Sequence, residues 1–169
     1  PPSIKPTGNF ILQIYNYQNG LKMQGSASIT AQANTYNMTV AASTYLINQN
    51  AKYTIDFTSL DFLTNTSYIT IGFPSALTLN VSTHCFTANF SSPANSTCST
   101  NGTSIRIESL TTNGITANSY RMTVDSVINP NRALANLSFS ANFYYINDSS
   151  YLVATGSFTG LTYLPNSLS

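Results

Sequence analysis

The chain contains no tryptophan, a single histidine and very little charge. Its five acidic and six basic residues make up 7% of 169 positions, where an ordinary soluble domain carries about 25%. The net charge of +1 supplies no basic patch to neutralise phosphates, which argues against a nucleic-acid partner. It supplies no polybasic face for a membrane surface either. Low charge does not signal a transmembrane segment here, because no apolar run approaches the roughly 18 residues that a spanning helix needs. Catalytic groups are equally sparse. His84 stands next to Cys85 in a β-patterned stretch, where neighbouring side chains point to opposite faces, so the two do not form a nucleophile and its base. Among the acids Asp56, Asp61, Glu108, Asp125 and Asp148, only Asp56 and Asp61 approach each other across a turn, which offers a weak calcium site at most. No clustered His/Cys set and no glycine-rich phosphate loop is present. The expectation is a protein that is not an enzyme and holds no cofactor and no metal.

Uncharged polarity takes the place of charge, in the form of Ser, Thr and Asn. Hydrophobicity is arranged with a period of two. Tyr53, Ile55 and Phe57 alternate with polar neighbours, as do Ile69, Ile71 and Phe73, and the segment from Ser104 to Ser109 places Arg106 and Glu108 outward. Tyr120, Met122 and Val124 lead to Val127, and Leu137, Phe139, Ala141 and Phe143 continue the pattern. Tyr151, Val153 and Thr155 follow after an Asn-Asp-Ser-Ser turn. Thr, Tyr, Ile, Val and Phe suit pleated, half-buried surfaces, and no helical stripe with caps competes with them. The fold class is therefore all-β, an immunoglobulin-like antiparallel sandwich with an additional N-terminal hairpin.

Eight Asn-X-Ser/Thr sequons begin at Asn37, Asn65, Asn80, Asn89, Asn95, Asn101, Asn136 and Asn147. A chain so rich in these residues holds several by composition alone. The positions of Asn65, Asn95, Asn101 and Asn147 in predicted turns add weight, because an acceptor must be exposed, whereas Asn80 and Asn136 lie near apolar strand positions. Covalent glycans would also keep a surface this poor in charge in solution. Cys85 and Cys98 flank a polar loop, and beside the sequons they read as a disulfide of a secreted or cell-surface protein. The opening Pro1-Pro2-Ser3, with no signal peptide, looks like a mature or excised segment.

The sequence also repeats itself. Residues 9–19 align with residues 138–148, an aromatic strand running into an Asn-containing turn in both places. A second strand follows in each copy, Leu21 to Gln24 and Tyr151 to Ala154, and both then reach small and hydroxyl residues. Residues 1–34 are thus read as a hairpin that ends a preceding unit, or acts as a donor segment, and residues 35–169 as the sandwich. Phe10, Leu12 and Ile14 alternate on one face of that hairpin and, with Tyr15 and Tyr17, are the candidate assembly interface.

The run Tyr53-Thr54-Ile55-Asp56-Phe57, the run Tyr68 to Pro74 and Cys85 resemble a repeat in very large extracellular proteins of ciliates and related protists. The later Tyr120 to Val124, the Asn129-Pro130 step and Phe139 to Tyr145 are similar to the end of the same unit. The resemblance covers roughly residues 35–160. It implies tandem immunoglobulin-like units in a surface or fibre glycoprotein, with no catalytic residues to carry over. Together these readings give a structural subunit of an extracellular glycosylated filament or coat that self-associates head to tail by strand pairing or donor-strand exchange. The alternative is an adhesin or carbohydrate-binding sandwich, which the lack of tryptophan weakens.

Overall fold

The computed structural model describes residues 8–58, 67–80, 85–88, 97–108, 120–145 and 148–165. Every regular element in them is a strand. In chain order these are β1 (Phe10–Tyr15), β2 (Leu21–Ala27), β3 (Asn34–Ala42), β4 (Asn50–Thr58), β5 (Ser67–Gly72), β6 (Thr78–Leu79), β7 (Cys85–Ala88), β8 (Thr97–Asn101), β9 (Ser104–Glu108), β10 (Tyr120–Ile128), β11 (Leu134–Tyr145) and β12 (Asp148–Tyr163). The period-two residues read from the sequence are the core: Tyr53, Ile55, Phe57, Ile69, Ile71, Phe73, Met122, Val124, Phe139 and Phe143 are all buried. In β12 the inward positions are Ala154 and Gly156, whereas Val153 and Thr155 stay half-exposed. The sequence pattern of that strand thus marks its less buried positions.

Ten strands form one continuous sheet in the order β6-β10-β4-β3-β12-β11-β5-β9-β8, with β7 beside β6 along β10. The sheet doubles over at β12. Residues Ala154 to Ser157 pair at once with β11, antiparallel, and with Asn34 to Asn37 of β3. The pairing with β3 is parallel, against the expectation of a purely antiparallel sandwich. Doubling brings the β3–β4–β10 face onto the β11–β5–β9 face. Edge-on ring contacts cross the interior between Tyr53 and Phe73, between Phe57 and Phe143 and between Tyr36 and Phe143. The outer face of the second half carries a smaller stack: Tyr68 lies against Tyr144, and the Arg106 guanidinium sits 3.7 Å over the Tyr68 ring.

A disulfide closes the side opposite the fold line. Cys85 lies on β7, at one end of the strand order, and Cys98 on β8, at the other, and the two are bonded with Cα atoms 6.0 Å apart. The bond does more than shorten a loop, because it holds together two edge strands that no ladder of hydrogen bonds joins. Replacing both cysteines with serine is expected to cost about 3 kcal/mol from loop entropy alone. Urea denaturation measures that loss. With residues 1–30 removed from both, light scattering above micromolar concentration should report aggregation of the variant and not of the parent.

One buried polar knot fastens the end of the sandwich. Asn129, 2% exposed, accepts a hydrogen bond of 2.6 Å from the Tyr53 hydroxyl through its side-chain oxygen. Its Nδ2 donates to the carbonyls of Thr44 and Leu46, each at 2.9 Å. The Tyr53 and Tyr163 hydroxyls are 2.6 Å apart. The Asn129-Pro130 step therefore joins the β3–β4 connection, the end of β10 and the end of β12. Burial pushes the Tyr53 phenol well above the usual 10.0, and the hydrogen bond with Tyr163 adds to the shift. Burial also raises Tyr163. A raised folded value means that the folded state keeps its protons longer, so this contribution is complete below the unfolded value and lost as pH rises beyond it. Stability should hold up to about pH 10 and then fall steeply. Unfolding midpoints read between pH 8 and 12 check this, and Tyr53→Phe should flatten the fall.

Candidate functional site

The candidate site is the hairpin of β1 and β2, a two-stranded sheet of its own. Its turn is built by Asn16, whose Oδ1 accepts from the Gln18 and Gly20 amides at 3.0 and 2.6 Å, an Asx-type closure. Asn19 takes the left-handed conformation, φ 59°, which Asn tolerates better than most residues. Cross-strand partners share a face, so Phe10, Leu12 and Ile14 lie with Ala27, Gly25 and Met23 on one side. Ile11, Gln13 and Tyr15 lie on the other. There the Gln13 amide donates to Gln24 at 2.9 Å, and the Tyr15 hydroxyl donates to Gln13 at 2.8 Å.

No described residue covers either face. Phe10 is 57% exposed, Leu12 66%, Met23 65% and Tyr17, at the tip, 92%. An open apolar groove runs along the hairpin, lined by Phe10, Ile11, Leu12, Gly25, Ser26 and Ala27. An isolated two-stranded hairpin is marginal in water. All five residues read from the sequence as an assembly interface lie here, Phe10, Leu12, Ile14 and Tyr15 on β1 and Tyr17 in the turn.

The hairpin repeats the geometry of β11–β12. In β1–β2 the partners are Leu12 with Gly25, Gln13 with Gln24, Ile14 with Met23 and, after a bulge, Tyr15 with Leu21. In β11–β12 they are Ala141 with Gly156, Asn142 with Thr155, Phe143 with Ala154 and, after a bulge at the same place, Tyr144 with Leu152. The first strands correspond as the sequence indicated. The second strands correspond one residue further on than the sequence alignment placed them, so that Leu21 falls on Leu152 and Gly25-Ser26 on Gly156-Ser157. The Gly-Ser pair was the signal that could have set this register from sequence alone.

The other sequence-selected residues scatter. Asn37, Asn80, Asn101 and Asn136 are exposed, including the two that neighbour apolar strand positions. Asn65, Asn89, Asn95 and Asn147 lie outside the described residues, as do His84 and Asp61. Asp56 receives both a 2.7 Å and a 3.1 Å hydrogen bond from Arg121. Glu108 pairs with Arg106 at 2.7 Å and Asp125 with Lys52 at 3.5 Å. Each of these acids thus faces a cation. No three metal-ligating side chains cluster among the described residues. No helix among them is long and apolar enough to cross a membrane.

No family model matches the chain, and no curated protein does. Solved structures do. A cohesin module from the Clostridium perfringens ATCC13124 family 33 glycoside hydrolase is 15% identical, with a TM-score of 0.50 over 79% of this chain and 100% of that one. BslA, a bacterial hydrophobin, is 10% identical, with a TM-score of 0.47 over 78% and 99%. BcpA, the major pilin subunit of Bacillus cereus, is 10% identical, with a TM-score of 0.42 over 95% of this chain and 49% of that one. At such identities the likeness to the cohesin module bears on architecture alone, and the architecture is an immunoglobulin-like all-β sandwich.

Proposed function

We propose that this chain is a non-enzymatic structural unit of an extracellular filament or surface coat, joined head to tail through the hairpin of residues 10–27. The observation that carries the reading is a folded hairpin with apolar side chains open to solvent on both faces, beside a sandwich whose described residues bury a core without it. A contact between one end of a unit and a different surface on the next is heterologous, and such contacts propagate into open filaments. Main-chain hydrogen bonds from β1 and β2 would supply affinity, and Phe10, Leu12 and Ile14 would supply specificity by filling alternate pockets. The exposed sequons at Asn37, Asn80, Asn101 and Asn136 favour a glycan coat that limits lateral sticking, in keeping with a surface location.

Removing residues 1–30 tests the reading. The truncated chain is expected to keep the thermal unfolding midpoint of the sandwich within a few degrees and to lose all higher-order assembly under the electron microscope. Filaments that persist unchanged would rule out the hairpin as the joint. A monodisperse unit that binds a glycan array before and after truncation would favour the adhesive alternative.

A further inference from the structure

Gly25 has no local reason to be glycine. A Cβ placed on it would meet nothing within 4 Å, and its backbone is not in the left-handed region. Its counterpart Gly156 lies against the parallel neighbour β3: a Cβ there would stand in van der Waals contact, 3.4 Å from the Met38 Cβ and 3.5 Å from the Tyr36 carbonyl, which leaves room for nothing much longer. Close approach of another backbone is one reason for glycine inside a strand. Gly25 thus matches a position that packs on a β3-like strand, and no described residue packs on it. The rest of the hairpin agrees. The Gln13–Gln24 hydrogen bond reproduces the Thr155–Asn142 bond, both at 2.9 Å and at corresponding positions. Phe10, Leu12 and Ile14 correspond to Phe139, Ala141 and Phe143, which are buried, and Tyr15 corresponds to Tyr144, which stacks on Tyr68.

Resting on the head-to-tail reading, we propose that β1–β2 is the closing hairpin of a second sandwich of this same kind. In that unit it fills the cradle that β11–β12 fills here. β2 runs parallel to the unit's counterpart of β3, with Gly25 opposite the counterpart of Tyr36. β1 runs antiparallel to the counterpart of β5, with Tyr15 opposite the counterpart of Tyr68. The occupant is thus an open sandwich equivalent to residues 34–128. It is not an intact second copy, whose cradle is already filled by its own β11 and β12.

The offset that sets Phe10 on Phe139 also sets Pro1 on Pro130, so a copy of residues 31–129 fused ahead of Pro1 leaves the whole chain intact and in phase. In this extended chain the amides of residues 10–27 are expected to exchange at least about 100-fold more slowly than in the 169-residue chain, at every protein concentration. Gly25→Leu should abolish that protection and leave residues 139–158 protected. A control in which residues 138–161 replace residues 9–30 at the junction shows whether the added copy folds when given its native hairpin. If the control is protected and the extended chain is not, the proposal is wrong. It is equally wrong if Gly25→Leu changes nothing, or if the 169-residue chain gains the same protection on concentration alone, which would make an intact second copy the occupant. Filaments formed by a chain whose hairpin stays unprotected in the extended form would sink this inference and spare the assembly reading. Protection without filaments would do the reverse.

Discussion

Asn129→Leu is expected to destabilise the sandwich by at least about 4 kcal/mol, a large part of the roughly 5–15 kcal/mol that holds a domain together. Leucine keeps the branching and the number of side-chain heavy atoms of asparagine but is bulkier, and it provides neither the acceptor nor the two donors. The Thr44 and Leu46 carbonyls lose their partner, and the Tyr53 hydroxyl keeps only Tyr163. Each buried polar group left unsatisfied costs about 1–3 kcal/mol, and here the losses fall together. The main-chain bond from the Asn129 amide to the Gln49 carbonyl, 2.8 Å, survives the substitution, so the chain path is kept and the loss reports the side chain. Tyr53→Phe removes one hydroxyl from the same knot and should cost about 1–2 kcal/mol. Urea midpoints at neutral pH order the two variants. An Asn129→Leu protein as stable as the parent would show that the knot contributes little.

The second large effect is a contrast between equivalent positions. Phe143 is fully buried, with its ring edge-on to Tyr36 at 5.0 Å and to Phe57 at 5.5 Å. Phe143→Ala should cost about 3–5 kcal/mol, the lost transfer energy plus the cavity left between the two halves of the sandwich. Ile14 occupies the corresponding place in the N-terminal hairpin and is 46% exposed. Ile14→Ala should change the stability of the separate chain by less than about 0.5 kcal/mol. Where the hairpin closes a copy of residues 31–129 fused ahead of Pro1, the same substitution should cost that added unit about 2–5 kcal/mol, since a half-buried isoleucine becomes a core residue there. Chemical denaturation of the separate and the extended chain, measured on one pair of variants, separates the two roles.

Much of the sandwich was legible because its strands carry large apolar residues at every second position. Tyr53, Ile55 and Phe57, or Ile69, Ile71 and Phe73, have one possible inner face. β12 was misread for the opposite reason. Its fully buried residues in the misread stretch are Ala154 and Gly156, both small and set beside β3, while its larger Val153 is only half-buried against the core. A hydrophobic pattern rewards size and overlooks a position selected for the lack of it. The parallel pairing of β3 with β12 was beyond reach, because the residues that choose it are more than a hundred positions apart and leave no local period. The cysteines showed their bond but not its place, since only the strand order reveals that β7 and β8 are the two margins of one sheet. The hairpin was legible as a repeat, and its register became clear only when the bulges in the two copies were seen to coincide.

The parallel contact between β3 and β12 also decides how the unit answers a pull. Tension applied along the chain enters the sandwich at Asn34, the start of β3, and leaves beyond Tyr163, the end of β12. Two parallel strands drawn from opposite ends slide past each other along their length, so the bonds from Asn34–Ala154 to Asn37–Ser157 take the load together. An antiparallel pair drawn from adjacent ends would open one bond at a time, like a zip. The first and last strands of this sandwich are thus arranged in shear, with the Cys85–Cys98 bond holding the far side shut, and a string of such units would give way only when a whole row of hydrogen bonds ruptures at once.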